Sequence, residues 1–135
     1  MVTSIVSNMK NHNNGFVELV QKALEVIPEY DVHEVKNKID ESHEFFLVDV
    51  REDREWVQGN IPSSIHIGKG VIERDVANLI PNLDSEIVLY CQGGYRSALA
   101  GQALLAMGYT KVLSMSGGFS DWVNSNFSIN KAIKS

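Results

Sequence analysis

A single cysteine, Cys91, follows Ile87-Val88-Leu89-Tyr90 and precedes Gln92-Gly93-Gly94-Tyr95-Arg96-Ser97. The apolar run reads as a buried strand, and an alanine- and leucine-rich helical run follows the serine. The thiol therefore stands where a strand turns through two glycines into a helix. Backbone N–H groups at a helix start have no partner inside the helix and carry the positive end of its dipole. They hold anions and favour the thiolate, the nucleophilic form of cysteine. Gly93 and Gly94 allow the positive φ values that a loop curled around one sulfur requires, and an inward nest of N–H groups stabilises a terminal anion. Arg96 closes the loop with a planar fork suited to an oxyanion or a carboxylate. A cation at a helix start opposes the dipole, so its place asks for a functional or tertiary reason. Gln92 and Tyr95 read as side chains facing solvent and the incoming molecule, and Ser97 as a hydrogen-bonding partner of a loop amide.

Asp49 and Arg51 end a second apolar run, Phe45-Phe46-Leu47-Val48-Asp49-Val50. Asp49 reads mainly as a structural partner holding loops near the thiol, and Arg51 as either that or an anion clamp. Lys69 and Glu73, after a short strand at Ser64–Ile67, are candidates for the pocket rim. His12, His33, His43 and His66 are widely separated and share no ligand spacing, so neither a metal nor a cofactor is expected. His66 reads as a packed or hydrogen-bonded ring, and Trp56 and Trp122 as packing aromatics. No Gly-x-Ser-x-Gly elbow and no phosphate-binding or dinucleotide glycine motif occurs.

The elements that must position these residues follow from periodicity. Phe16, Leu19, Val20, Ala23, Leu24 and Ile27 recur at helical spacing, with Asn13 or Asn14 as cap and Pro28 as stop. Asp31 and Glu34 form a capping-box pattern for a helix reaching about Asp40. A buried strand over residues 45–50, a charged helical segment from Arg51 to Trp56, a loop at Gly59-Asn60-Ile61-Pro62 and a short strand at 64–67 follow. Then come a helix over 71–80, a strand over 86–90, a helix over 96–107 capped by Gly108, a strand over 111–115, and a last helix opened by Gly117-Gly118. The polar stretch 1–14 and the tail 128–135 read as loose. Strands alternating with helices predict an α/β domain with a mostly parallel central sheet and helices on both faces. Ligands of such sheets sit at the carboxyl ends of the strands, where both Asp49-Val50-Arg51 and Cys91 fall.

Length and composition bound the answer further. A chain of 135 residues that is 44% hydrophobic suffices for one domain with a real core. The net charge of −5 gives no support for nucleic-acid binding. One cysteine permits no internal disulfide. Met1 to Lys10 lacks the pattern of a secretory signal, and no apolar run is long enough to span a membrane. A reducing, cytoplasmic location is expected, where a lone thiol stays free.

The series Leu47-Val48-Asp49-Val50-Arg51-Glu52, Gly59-Asn60-Ile61-Pro62, Tyr90-Cys91-Gln92-Gly93-Gly94-Tyr95-Arg96-Ser97, Met107-Gly108-Tyr109 with Val112, and Gly117-Gly118-Phe119 with Trp122 resembles the rhodanese-like domain. The resemblance covers roughly residues 28–127. It leaves residues 1–27 as an extension with one added helix and 128–135 as a tail. It implies a three-layer fold and a sulfurtransferase in which Cys91 carries sulfur as a persulfide, the loop from Gln92 to Arg96 binding substrate and persulfide. A small sulfur donor such as thiosulfate or a persulfide, a thiol or cyanide acceptor, and a protein acceptor are the partners it implies. The six-residue loop from Cys91 to Arg96 goes in the family with sulfur transfer, whereas related phosphatases carry one residue more. Asn60, Ser63 and Ser64 depart from the His, Gly and Ala of many members. The alternatives are a persulfide carrier or regulatory module serving a partner protein, with Phe16–Ile27 as a docking face, and a phosphatase or arsenate reductase.

Overall fold

The computed structural model describes residues 12–131. The stretch expected to be loose at the start lies outside the described residues except for residues 12–14, as does the tail beyond residue 131. Five parallel strands form the central sheet: β1 (Glu29–Tyr30), β2 (Phe46–Asp49), β4 (Ile65–His66), β5 (Glu86–Tyr90) and β6 (Lys111–Met115). Their spatial order is β1-β6-β5-β2-β4. Six helices accompany them among the described residues: α1 (Asn14–Leu24), α2 (Val32–Asp40), α3 (Asp53–Gln58), α4 (Ile72–Leu79), α5 (Tyr95–Ala106) and α6 (Gly118–Asn124). Two further short strands, β3 (Gly59–Asn60) and β7 (Asn130–Lys131), pair antiparallel away from the main sheet.

β5 shows why the apolar run is continuous. Its side chains alternate between two cores, so both faces must be apolar. Ile87 and Leu89 join Ile72 and Val76 of α4 and Ala100 and Leu104 of α5 on one face. Val88 and Tyr90 join Val35 of α2 and Phe119 and Trp122 of α6 on the other. Burying each such aliphatic side chain contributes about 1.5–3 kcal/mol, which makes the central strand a rigid mount for whatever follows it. α1 forms an outer layer, with Val20 and Ala23 against Ala98 of α5. Asn13 caps it, its side chain accepting from the Phe16 amide at 2.8 Å. The capping box at Asp31 and Glu34 is present at the start of α2.

The tail differs from expectation at its near end. Trp122 Nε1 donates to the Ser128 carbonyl at 2.9 Å, and β7 pairs with β3. Asn60, one of the positions departing from the usual family residues, receives a hydrogen bond from Asn130 Nδ2 at 2.9 Å. Its own side chain donates to the Trp56 carbonyl at 3.0 Å. The loop at Gly59-Asn60 is thus a paired strand, because the returning tail supplies its partner.

Candidate active site

The carboxyl ends of β2, β4, β5 and β6 converge on Cys91. Asp49 and Val50 lie beside Tyr90 and Cys91, since the Val50 amide continues the ladder to the Tyr90 carbonyl at 2.9 Å. The Ile67 amide bonds the Asp49 carbonyl at 3.0 Å and the Lys69 amide bonds the Val50 carbonyl at 3.0 Å. These bonds bring the loop after β4 alongside the segment after β2.

Cys91 is almost completely buried, with 1% of its surface exposed. Its Sγ receives the Gly94 amide at 3.1 Å and the Ser97 amide at 3.4 Å. Both donors belong to the start of α5, whose first turn has amides free of intrahelical partners. Gly94 caps the helix at φ +100°, a left-handed conformation that glycine tolerates best. Gly93 does not adopt the left-handed conformation, contrary to the expectation for both glycines. One left-handed residue suffices to turn the loop.

The second glycine pair does the rest of the shaping. The Phe119 amide donates to the Cys91 carbonyl at 2.8 Å and the Ser120 amide to the Gln92 carbonyl at 3.0 Å. Two loop carbonyls are thereby held outward by the start of α6, which leaves the loop amides to face the sulfur. The contact requires Gly118, where a Cβ would lie 2.6 Å from the Gln92 carbonyl oxygen. Ser97 Oγ stands 3.5 Å from Sγ and 2.7 Å from Ser114 Oγ of β6. The hydroxyl thus serves the sulfur and a buried serine, not a loop amide as expected, because both groups lie within its reach in a site closed to water.

Asp49 and Arg51 form a buried ion pair, 0% and 2% exposed. Arg51 Nη2 lies 2.8 Å from Asp49 Oδ2, and Nε 3.1 Å from both carboxylate oxygens. The same guanidinium donates to the Gly59 carbonyl at 2.6 Å and to Gln92 Oε1 at 3.3 Å, and stacks 4.2 Å from the Phe119 ring centroid. It therefore ties β2, the loop at Gly59, the cysteine loop and α6 together. Tyr90 extends the framework: its hydroxyl accepts from the Ile61 amide at 3.1 Å and lies 3.1 Å from Ser64 Oγ. Burial, with the Asp49 charge beside it, pushes its phenol well above the usual range.

The planar fork of Arg96 meets a carboxylate from within the chain: Nη1 and Nη2 donate to Glu55 of α3 at 2.9 and 3.1 Å. These hydrogen bonds hold the Glu55 carboxyl down at about 2. The Glu55 Oε1 also accepts the Glu52 amide at 3.0 Å, closing a capping box at the start of α3. Sequence reasoning missed Glu55. The only local signal was the spacing of Glu52 and Glu55, which speaks of a helix start and not of a partner 41 residues away.

The Tyr95 ring stands 6.3 Å from Phe16 of α1 and 5.4 Å from His12, edge-on to both, and the residue is half-buried. Gln92 is exposed and lines a cleft of about 430 Å³ with Arg54, Glu55 and Phe119. A second cleft of about 550 Å³ lies between residues 50–54 and 68–71, with Arg96 at its wall. Lys69 lines it, but Glu73 is exposed on the first turn of α4 and does not. His66 stacks on Trp56 with ring centroids 5.0 Å apart and bonds the Arg51 carbonyl at 2.8 Å, and Trp122 is buried.

A buried sulfur facing helix amides, framed by buried charge pairs and flanked by open clefts, can act as a nucleophile whose anionic form is held by backbone donors. Known proteins are similar to this chain in sequence. The protein named "Putative sulfurtransferase YtwF" from Bacillus subtilis is 35% identical over 71% of this chain and 90% of its own. The one named "Putative sulfur carrier protein YrkF", from the same organism, is 33% identical over 71% of this chain, which spans about half of that protein's length. Among solved structures, a Rhodopseudomonas palustris protein described as of unknown function and a possible tyrosine phosphatase superposes with a TM-score of 0.80. It is 26% identical, over 87% of this chain and 96% of its own. The family description "Rhodanese-like domain" matches residues 31–125. The chain belongs to the rhodanese-like domain family.

Proposed function

We propose that the protein is a sulfurtransferase that moves sulfane sulfur from a donor, thiosulfate or a persulfide, to a thiophilic acceptor through a persulfide on Cys91. The observation that carries this reading is the pair of amides, Gly94 and Ser97, aimed at Cys91 Sγ from the start of α5. In the first half-reaction the Cys91 thiolate attacks the outer sulfur of the donor. The donor's S–S bond breaks and its inner part leaves as sulfite or a thiolate. In the second, a cyanide or thiol attacks the outer sulfur of the Cys91 persulfide and the cysteine thiolate departs. Each step exchanges one sulfur–sulfur or sulfur–carbon bond for another, and no external oxidant or reductant is needed. Backbone donors suit this chemistry because the negative charge sits on sulfur before and after each transfer. A free thiol in this role fits a reducing compartment, and we place the protein in the cytoplasm on that ground.

Purified protein given thiosulfate and cyanide is expected to form thiocyanate, and Cys91→Ser to form none above the uncatalysed background. Equal thiocyanate from both proteins contradicts the reading. A second reading, that the protein carries sulfur to one protein acceptor, is supported by the name of the relative that is 33% identical and by the layer added by α1. It predicts stable Cys91 persulfide with slow turnover toward small thiols. Phosphoryl transfer is disfavoured, because Glu55 neutralises the guanidinium on which a phosphate dianion would rely.

A further inference from the structure

Every guanidinium at the mouth of the Cys91 site has a carboxylate partner. Arg51 is held by Asp49 at 2.8 Å, Arg96 by Glu55 at 2.9 and 3.1 Å, and Arg54 lies 3.4 Å from Glu52. Lys69 is the one cation lining the larger cleft that has no ion pair among the described residues, and the exposed Asp53 shares that cleft. The site thus offers backbone amides for charge on sulfur, while its two guanidiniums that are not exposed, Arg51 and Arg96, are already paired with carboxylates.

This matters because the two donor classes differ in charge. Thiosulfate brings a dianion to a thiolate: Cys91–S⁻ plus S–SO₃²⁻ gives Cys91–S–S⁻ plus SO₃²⁻, with three negative charges on each side. A protonated persulfide brings none: Cys91–S⁻ plus R–S–S–H gives Cys91–S–S–H plus R–S⁻. Like charges brought together in a site partly closed to water repel strongly unless a cation neutralises them. Glu55 neutralises the Arg96 charge and takes two of its five N–H donors in charge-assisted hydrogen bonds, so a sulfonate meets a paired cation and not a free one.

Resting on the sulfurtransferase reading, we propose that Glu55 is a specificity-determining residue: by occupying Arg96 it selects thiol persulfides over thiosulfate as the sulfur donor. Glu55 acts through Arg96 and touches no reacting atom. Its charge, and not its shape, is the operative property. A glutamine at this position keeps the side-chain oxygen that closes the capping box with the Glu52 amide, removes the negative charge and replaces one of the two oxygens that accept from Arg96 by a donor.

The test loads purified full-length wild type, Glu55→Gln and Glu55→Asp with either thiosulfate or cysteine persulfide. It reads sulfur on Cys91 by intact mass, and kcat and KM for each donor with cyanide as acceptor. Wild type is expected to show a higher kcat/KM with cysteine persulfide. Glu55→Gln should raise the thiosulfate-to-persulfide ratio of kcat/KM by about tenfold or more, chiefly through KM for thiosulfate, since one lost charge-assisted bond corresponds to a factor of that order. Glu55→Asp, which keeps the charge, should hold the ratio within about threefold of wild type. A wild type that prefers thiosulfate, or a ratio that Glu55→Gln leaves in place, overturns the assignment while leaving Cys91 chemistry standing. Failure of both donors to load Cys91 in wild type overturns the sulfurtransferase reading, and this inference with it.

Discussion

Cys91 alone would be a small buried apolar residue. The chemistry proposed for it rests on two amides, one hydroxyl and the groups that fix them. Asp49 and Arg51 are the deepest of these, and a buried charge left without its partner is costly. Asp49→Ala leaves the Arg51 guanidinium buried and uncompensated, and is expected to lower unfolding stability by about 3–5 kcal/mol in urea titration. A loss below about 1 kcal/mol would mean that the pair is not structural. At this scale the sequence was most legible where residue type and local geometry coincide: one thiol, a glycine before a helix, an aspartate at a strand end. The identity of the Arg96 partner was not legible, because Glu55 lies on α3, 41 residues earlier, and no local pattern encodes that pairing. The packing of Tyr95 on Phe16 was not legible for a similar reason, since α1 precedes the part matched by the family.

Between elements, the arrangement that opens the site is the contact of α6 with the cysteine loop. The two amides of Phe119 and Ser120 hold the carbonyls of Cys91 and Gln92 outward, and the approach is close enough that only glycine fits at 118. Gly118→Ala places a methyl against two backbone carbonyls at a position with φ +57°. It should cost about 1–3 kcal/mol of stability and slow sulfur loading of Cys91. Gly93→Ala is the control, because its methyl would meet only the Tyr95 ring at 3.5 Å and its backbone is not left-handed. Thermal unfolding and loading rates of both variants decide the matter. Equal losses would show that α6 does not shape the loop. The long strands and helices were legible from their apolar periodicity. β1, β3 and β7 were not, because two residues carry no period and their pairing depends on partners distant in sequence.

The whole domain links its site to its stability through charge. Hydrogen bonds from Arg96, with smaller contributions from its charge and that of Arg51, hold the Glu55 carboxyl at about 2, against 4.5 for an ordinary glutamate. A carboxylate depressed on folding contributes stability that is complete above its unfolded value and is lost as pH falls toward its folded value. The Glu55 contribution should therefore be present at neutral pH and fade between pH 4.5 and about 2. After screening by solvent, about 1 kcal/mol is expected. Wild type should unfold at a higher temperature than Glu55→Gln at pH 7, with the gap closing toward pH 3. A gap that widens on acidification contradicts the coupling. The family and the parallel α/β fold were both readable in advance, because five short motifs in order mark the strand ends where the chain must turn. The charge balance at the mouth of the site was not, because it is set by pairings across the sheet. All of these features converge on one atom, Cys91 Sγ. The most direct measurement is the intact mass of wild type and Cys91→Ser after brief exposure to cysteine persulfide and removal of the donor. The account predicts one added sulfur atom on wild type, released by cyanide, and none on Cys91→Ser. Unchanged mass in wild type, or equal gain in both proteins, would contradict it.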